Sequence, residues 1–487
     1  MQTTTLYSFF YWCLLALYWI SVASATIRIL FKRRSNSITT AWLLVVYIFP
    51  FIGLFAYLAF GELKIGKRRE EQVKNIWPET TQKLGELIKL RGHPDNISPL
   101  AKSLFNLCEI RQNIPSTHAN EIQTFTNSDD TMQQMVADIN QAQDNIKMVF
   151  YIWSVGGKEA DIVEALCAAA KRGVKCRILV DSAGSYHFFR SKHHKQMVKA
   201  GVHIAVALPV SLIRAFFRRM DLRQHRKMVL IDDHIAYTGS MNMVDPRFFK
   251  QDAGVGEWVD LMIRMDGSVC LLMEAIFNND WQMETKQSIP FGALAAIGPI
   301  APVIPPYVTQ VIASGPGFPE EIVQQTLLSV IYAAQEKIVF TTPYFVPSDD
   351  LCHAICTAAQ RGVDVVLIIP KKCDSRMINW ASRAFFTELL EAGVTIKQFS
   401  GGLLHTKSIL IDEQLSLVGT VNLDIRSLWL NFEITVAIDS AEFAKRLKEI
   451  HDVYLQQTTL LTLSEWAKRP LHQHILERLF YFFSPFL

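Results

Sequence analysis

Apolar and polar positions divide the chain into three regimes. The first is continuous: Leu6 to Ile27 is 22 residues without a charge, and Ala41 to Phe60 is 20 more. At about 1.5 Å of rise per residue, each run matches the ~30 Å hydrocarbon core of a bilayer. No Lys or Arg precedes the first run, which is also too long for a cleaved leader. Trp42 and Tyr57 near the ends of the second suit a membrane interface. Residues 1–61 therefore read as a two-helix transmembrane hairpin, with spans over about 6–27 and 41–60. Two spans return the chain to its starting side. Arg28, Lys32, Arg33 and Arg34 between them balance Lys64, Lys67, Arg68 and Arg69 after them, so the positive-inside rule leaves the side open.

The second regime, 62–120, is polar and helix-prone with a Pro-containing loop near Gly92 to Pro99, and reads as a linker region. In the third, apolar runs of strand length alternate with helical patterns, and the order repeats. QDNIKMVFYIWS (143–154) is echoed by QEKIVFTTPYFV (335–346), both rich in β-branched and aromatic residues. Each is followed by a helical stretch ending in a shared signature, Ala169 to Val174 and Ala358 to Val363. Apolar strands then follow at 176–181 and 364–370, and Ala-Gly-Val recurs at 200–202 and 392–394. Strand–helix–strand–helix order predicts parallel strands covered by helices, an α/β sandwich. A period this long marks a duplicated domain, with halves over 121–300 and 301–487.

The halves differ before a shared His. Val202 to His225 is 23 residues and Val394 to His405 is 11. The extra segment mixes Leu212, Ile213, Phe216, Phe217 and Met220 with Arg214, Arg218, Arg219 and Arg223. That pattern suits a membrane interface with anionic lipid or an amphipathic helix packed on the core. The tail, Leu479 to Phe483, is expected to dip into the interface rather than cap the core.

Composition narrows the classes. Of 487 residues, 50% are hydrophobic and 20% charged, and Lys plus Arg (49) against Asp plus Glu (46) leaves a net charge of +3. This excludes a disordered or collagen-like chain and argues against a duplex nucleic-acid binder. The eight Cys form no CxxC pair and no set with His at zinc-site spacing. Adjacent His193 and His194 do not share a helix face. No metal, cofactor or disulfide framework is expected.

The chemistry lies in a repeated pattern. His225, Lys227, Asp232, Gly239, Ser240 and Asn242 are matched by His405, Lys407, Asp412, Gly419, Thr420 and Asn422, both fitting H-x-K-x4-D-x6-G-[S/T]-x-N. On a strand, residues i and i+2 share a face, so each His and Lys point the same way. Asp232 and Asp412 fall on the opposite face or in the following turn, where a structural hydrogen-bonding role is expected. If a hairpin follows, Ser240 and Asn242, or Thr420 and Asn422, return beside the His–Lys pair. Duplication then places two imidazoles, two ammoniums and two amides around one point. Such a site suits a phosphate diester: the cations and small polar groups bind its oxygens, one His attacks phosphorus and the other protonates the leaving alkoxide. Each imidazole needs an orienting partner. Asp260 is assigned to His225 and Glu433 to His405, because both carboxylates lie in apolar strand-like runs where an unpaired charge is costly.

The two patterns resemble the HKD motifs of the phospholipase D superfamily, which counts the His, Lys and Asp of each as its catalytic set. The hairpin with Leu58-Ala59-Phe60-Gly61-Glu62, Thr342-Pro343-Tyr344-Phe345 and the Arg-rich insert resemble the two-span bacterial cardiolipin synthases. Thr420 stands where Ser is commoner and keeps the hydroxyl. The resemblance implies a duplicated phospholipase D-like α/β sandwich with a pseudo-two-fold active site. It also implies a multi-pass enzyme of the bacterial inner membrane acting on phosphatidylglycerol. Metal-independent transfer would run through a phosphatidyl-histidine, His225 as nucleophile and His405 as acid, then base. A hydrolytic phospholipase D and a phosphatidylserine synthase share the motif pair. A nuclease would not need the hairpin. The sequence leaves an oligomer open.

Overall fold

A computed structural model describes residues 2–32, 36–49, 51–61, 77–78, 80–82, 84–85, 94, 96–210, 219, 221–289 and 307–482. Arg33, Arg34, Glu62, Lys64, Lys67, Arg68, Arg69, Leu212, Ile213, Arg214, Phe216, Phe217, Arg218, Met220 and Phe483 lie outside the described residues. The chain forms two compact units: Met1–Arg69 with Val210–Leu222, and Glu70–Pro209 with Arg223–Leu487.

In the first unit a 30-residue helix, Gln2–Phe31, contains the apolar stretch Tyr7–Phe31, long and apolar enough to cross a membrane. The second expected span is not one helix. It runs as Asn36–Ile48 and Ile52–Phe60, with Phe51 at φ 61° between them. Pro50 explains the break, since it lacks an N–H and keeps the preceding residue out of the helical region. At about 1.5 Å per residue neither piece alone reaches ~30 Å. The pieces pack on the first helix and on each other: Trp42 meets Tyr57 edge-on at 5.4 Å, and the Thr26 and Tyr47 hydroxyls are 3.1 Å apart.

The second unit contains the duplication. Its first strands are β1 (Thr117–Ala119), β2 (Ile122–Phe125), β3 (Asn145–Phe150), β4 (Lys175–Asp181), β5 (His203–Ala207), β6 (Met228–Ile231), β7 (Ile235–Gly239), β8 (Trp258–Val259) and β9 (Met262–Asp266). Next come β10 (Tyr307–Ser314), β11 (Lys337–Thr341), β12 (Phe345–Val346), β13 (Asp364–Pro370), β14 (Thr395–Phe399) and β15 (Leu403–Leu404). The last are β16 (Ser408–Ile411), β17 (Leu415–Gly419), β18 (Leu423–Asp424), β19 (Glu433–Asp439) and β20 (Thr458–Leu461). One sheet has the order β2-β9-β7-β6-β3-β4-β5. The other contains the same run, β10-β19-β17-β16-β11-β13-β14, with β1 and β20 added at its edges. The β3, β4 and β5 strands are parallel, as expected, and so are their counterparts. The strands carrying the motifs are antiparallel, because each motif lies on a hairpin closed by a three-residue loop.

Strand residues are buried on both faces. Met228 and Leu230 join the core shared by the two sheets, while Val229 and Ile231 face helices outside. Leu410 faces the shared core, and Ile409 and Ile411 the outer core of the second half. The helices Val269–Thr285 and Ala441–Leu455 complete the shared core. Part of the sequence linker is integral to this unit: Pro99–Gln112 packs in the outer core of the second half, and β1 pairs with β10. The C-terminal helix Leu471–Phe482 caps that same core rather than standing free. Phe480 and Tyr481 pack on it, and the Tyr481 hydroxyl donates to Asp349 at 3.0 Å.

Candidate active site

Two backbone crossings build the site. The N–H of His225 donates to the carbonyl of Phe432 at 3.0 Å, and that of His405 to the carbonyl of Val259 at 2.8 Å. Phe432 immediately precedes Glu433, and Val259 precedes Asp260. β8 pairs with β15 in parallel, and Gln224 bridges Phe432. Each half therefore delivers its carboxylate to the other half's histidine. Glu433 lies 2.8 Å from Nδ1 of His225, and Asp260 lies 2.6 Å from Nδ1 of His405. This corrects the within-half pairing expected above. Nδ1 faces the carboxylate in both cases, which leaves Nε2 for chemistry.

The motif hydroxyls are also reassigned. Ser240 donates to Asp260 at 2.6 Å, and Thr420 to Glu433 at 2.5 Å, while each accepts the N–H of the residue after its carboxylate. These oxygens lock the orienting carboxylates rather than face a phosphate. Thr420 does what Ser240 does, so the departure from Ser carries no cost. Each motif glycine closes on the neighbouring strand: a Cβ at Gly239 or Gly419 would strike the carbonyl of Leu261 or Ile434.

Asp232 and Asp412 lie at the far turn of the motif hairpin. Asp232 accepts the N–H groups of Gln143, Asp144 and Asn145, and Asp412 those of Gln335, Glu336 and Lys337, all at 2.8–2.9 Å. They anchor the starts of β3 and β11, and the catalytic role implied by the resemblance does not extend to them. The pairs Asp232–Asp233 and Asp412–Glu413 have positive φ, as the twist of a tight hairpin requires.

Lys227 and Lys407 each donate to the backbone carbonyl of their own histidine, at 2.9 and 2.5 Å, which holds the ammonium beside the imidazole. All six groups are buried. Burial drives His225 down to about 4, partly opposed by Glu433. Burial, then Lys407, does the same to His405, also to about 4. Burial lowers Lys227 to about 8 and Lys407 well below the usual range. Burial alone would raise Asp260 and Glu433, but the facing imidazoles and lysines hold both below normal. At neutral pH the imidazoles are uncharged, one proton short of a general acid. Asn242 Oδ1 accepts the N–H of Ile152 at 3.2 Å, and Asn422 Oδ1 is buried with no hydrogen-bond partner among the described residues.

Several site residues carry no motif. The Tyr151 ring lies 5.1 Å from His225, and Trp258 lies 4.3 Å from His405. Tyr151 directly follows β3, whereas the matching position of the second half is Pro343, so the repeat alone does not reveal it. Fully buried Arg226 pairs with Asp280 and donates to the carbonyls of Ser314 and Glu433. Away from the site, Sγ of Cys352 and Cys356 and a Glu388 oxygen lie within 4.8 Å of one another, a group able to hold a thiophilic ion.

Two histidine–lysine sets on a duplicated α/β sandwich, each imidazole held by the opposite half, define a phospholipase D-like phosphodiester site. The family model described as "Cardiolipin synthase, PLD-like domain" matches residues 135–281 and 327–453, and one described as "Phospholipase_D-nuclease N-terminal" matches 20–62. The chain is 56% identical over 487 residues to cardiolipin synthase A of Klebsiella pneumoniae (strain 342), covering 99% of this chain and all of that one. Over 486 residues it is 55% identical to cardiolipin synthase A of Yersinia pseudotuberculosis, with the same coverage. A phosphatidylserine synthase of Haemophilus influenzae superposes with TM-score 0.60 over 79% of this chain and 100% of its own, at 14% identity, a likeness of fold. The chain belongs to the cardiolipin synthase family of phospholipase D-like proteins.

Proposed function

We propose that the protein is a membrane phosphatidyltransferase that makes cardiolipin and glycerol from two phosphatidylglycerol molecules. The observation that carries this reading is the pair of buried, carboxylate-oriented imidazoles, each with a buried lysine held beside it. Lys227, Lys407 and the two asparagine amides bind the diester oxygens. Nε2 of His225 attacks phosphorus, the P–O bond to glycerol breaks, and His405 gives the alkoxide a proton. The bound anion raises the imidazoles, and Asp260 stabilises the imidazolium on His405. The hydroxyl of a second phosphatidylglycerol then loses its proton to His405, attacks phosphorus and releases His225. Glu433 holds the attacking ring. No divalent ion is needed, because the lysines supply the positive charge.

The helix Gln2–Phe31 supports membrane residence, and both apolar segments together suit a multi-pass anchor in a bacterial inner membrane. Purified full-length protein in detergent with labelled phosphatidylglycerol tests the reading. Cardiolipin and glycerol are expected in equal amounts, and phosphatidic acid as the main product would make the enzyme a hydrolase. A phosphatidyl adduct should be trapped on the wild type and be absent from His225→Ala.

A further inference from the structure

The geometry points to Lys250, Asp374 and Tyr344 as the acceptor subsite, which recognises a glycerol headgroup that carries its own phosphate. This rests on the phosphatidyltransferase reading and deepens it. In an in-line displacement the leaving group departs opposite the nucleophile. If His225 attacks, glycerol leaves on the side of His405, and the acceptor enters by the same route. The groups around His405 therefore decide which alcohol is used.

Those groups differ from the surroundings of His225, where Tyr151 hydrogen-bonds Arg223. Beside His405 stands Trp258 at 4.3 Å, and the Lys250 ammonium lies 5.6 Å from the Trp258 ring centre. Lys250 reaches Asp374 at 3.1 Å, and the Tyr344 hydroxyl donates to the other oxygen of Asp374 at 2.7 Å. The Asp374 side chain is 4% exposed and that of Lys250 is 47% exposed, so the carboxylate is fixed while the lysine side chain stays half in solvent. Lys250 has φ 48°, an uncommon conformation for a non-glycine residue. The cluster is assembled from both halves, with Lys250 and Trp258 from the first and Asp374 and Tyr344 from the second.

A fixed carboxylate beside a phenol hydroxyl accepts the hydroxyl hydrogens of a polyol. In phosphatidylglycerol three carbons separate the attacking hydroxyl from the lipid's own phosphate. That second phosphate needs a cation near His405, and Lys250 packs on the same Trp258 ring as His405 does. Water and short alcohols make no use of either group.

The test sets the native acceptor against an uncharged one in a single tube. Full-length enzyme in detergent micelles receives labelled phosphatidylglycerol and ethanol, and cardiolipin is scored against phosphatidylethanol. In Lys250→Gln and in Asp374→Asn the ratio of cardiolipin to phosphatidylethanol should fall about tenfold or more, the size of a lost charged hydrogen bond. Lys250→Arg should recover most of it. An unchanged ratio, or an equal fall in both products, overturns the subsite. Wild-type enzyme that forms phosphatidylethanol but no cardiolipin would instead defeat the functional reading itself.

Discussion

The titration of the buried lysines sets a limit on the working range. Lys227 sits near 8 because burial disfavours its charge, so the ammonium is present below that pH and lost above it. The imidazoles sit near 4, so they are nucleophilic above that value and protonated below it. The profile of kcat/KM, which reports the free enzyme, should therefore fall below about pH 4 as His225 is protonated, decline above it because His405 must take up a proton to act as the acid, and fall more steeply past about pH 8 as Lys227 loses its charge. A plateau extending past pH 10 would mean that the lysine charge is not required. The carboxylates separate the two histidines. Glu433→Gln leaves His225 without its orienting anion and should slow adduct formation about a hundredfold or more on any substrate. Asp260→Asn weakens the acid, so a nitrophenyl phosphodiester, whose leaving group needs little protonation, should restore adduct formation. Burst kinetics on that substrate decide, and the opposite rescue would exchange nucleophile and acid. The residue types were legible from the sequence, since the pattern recurs in register. Their partnership was not, because hydrogen bonds from His225 to Phe432 and from His405 to Val259 cross the repeat, and spacing within one half carries no trace of that. The same holds for Ser240 and Thr420: a hydroxyl returning beside a lysine also returns beside the strand that bears the carboxylate.

At the scale of elements, the motif hairpin is stabilised from its remote end. Asp412 accepts three backbone N–H groups at the start of β11, and removing it leaves those donors without their acceptor. Asp412→Ala should lower the stability of the catalytic unit by about 3 kcal/mol, seen as an earlier urea transition. At temperatures where the variant stays folded its kcat should remain within about threefold of wild type. A large loss of kcat with an unmoved transition would return this Asp to the chemistry. The odd offset of seven residues from His405 to Asp412 took it off the catalytic face, because strand periodicity is 2, and left the opposite face and the turn as alternatives; it lies in the turn. Periodicity was a poorer guide in the membrane segment. Twenty uncharged residues looked like one unbroken helix, yet the helix stops at Ile48 and resumes at Ile52, with Phe51 at positive φ between. Hydropathy registers what solvates a segment and is blind to a missing N–H.

For the whole molecule, the repeat made the architecture legible. Matching strand–helix signatures correspond to matching strand orders in the two sheets. What the repeat could not show is how firmly the halves are fastened. Arg226 is fully buried and reaches Asp280, Ser314 and Glu433 at once, while its counterpart, Thr406, crosses to the Val259 carbonyl and meets the Tyr454 hydroxyl. The centre sets two lysines against two carboxylates, so the chain itself brings cationic side chains to the diester. Cardiolipin formation should accordingly persist in excess EDTA, measured on labelled phosphatidylglycerol. Loss on chelation that one particular divalent ion alone restores would contradict the lysine assignment.

The crossed pairing also constrains how such a chain can change over generations. A substitution that moves one histidine must be answered by the strand carrying the other half's carboxylate, 208 residues away for His225 and 145 for His405. The halves therefore cannot drift apart as independent copies. A recombinant that received one half from a distant relative would inherit every catalytic group and still join mismatched partners. For the same reason, one half expressed without the other would possess an imidazole, an ammonium and a carboxylate, yet nothing to turn that imidazole toward phosphorus.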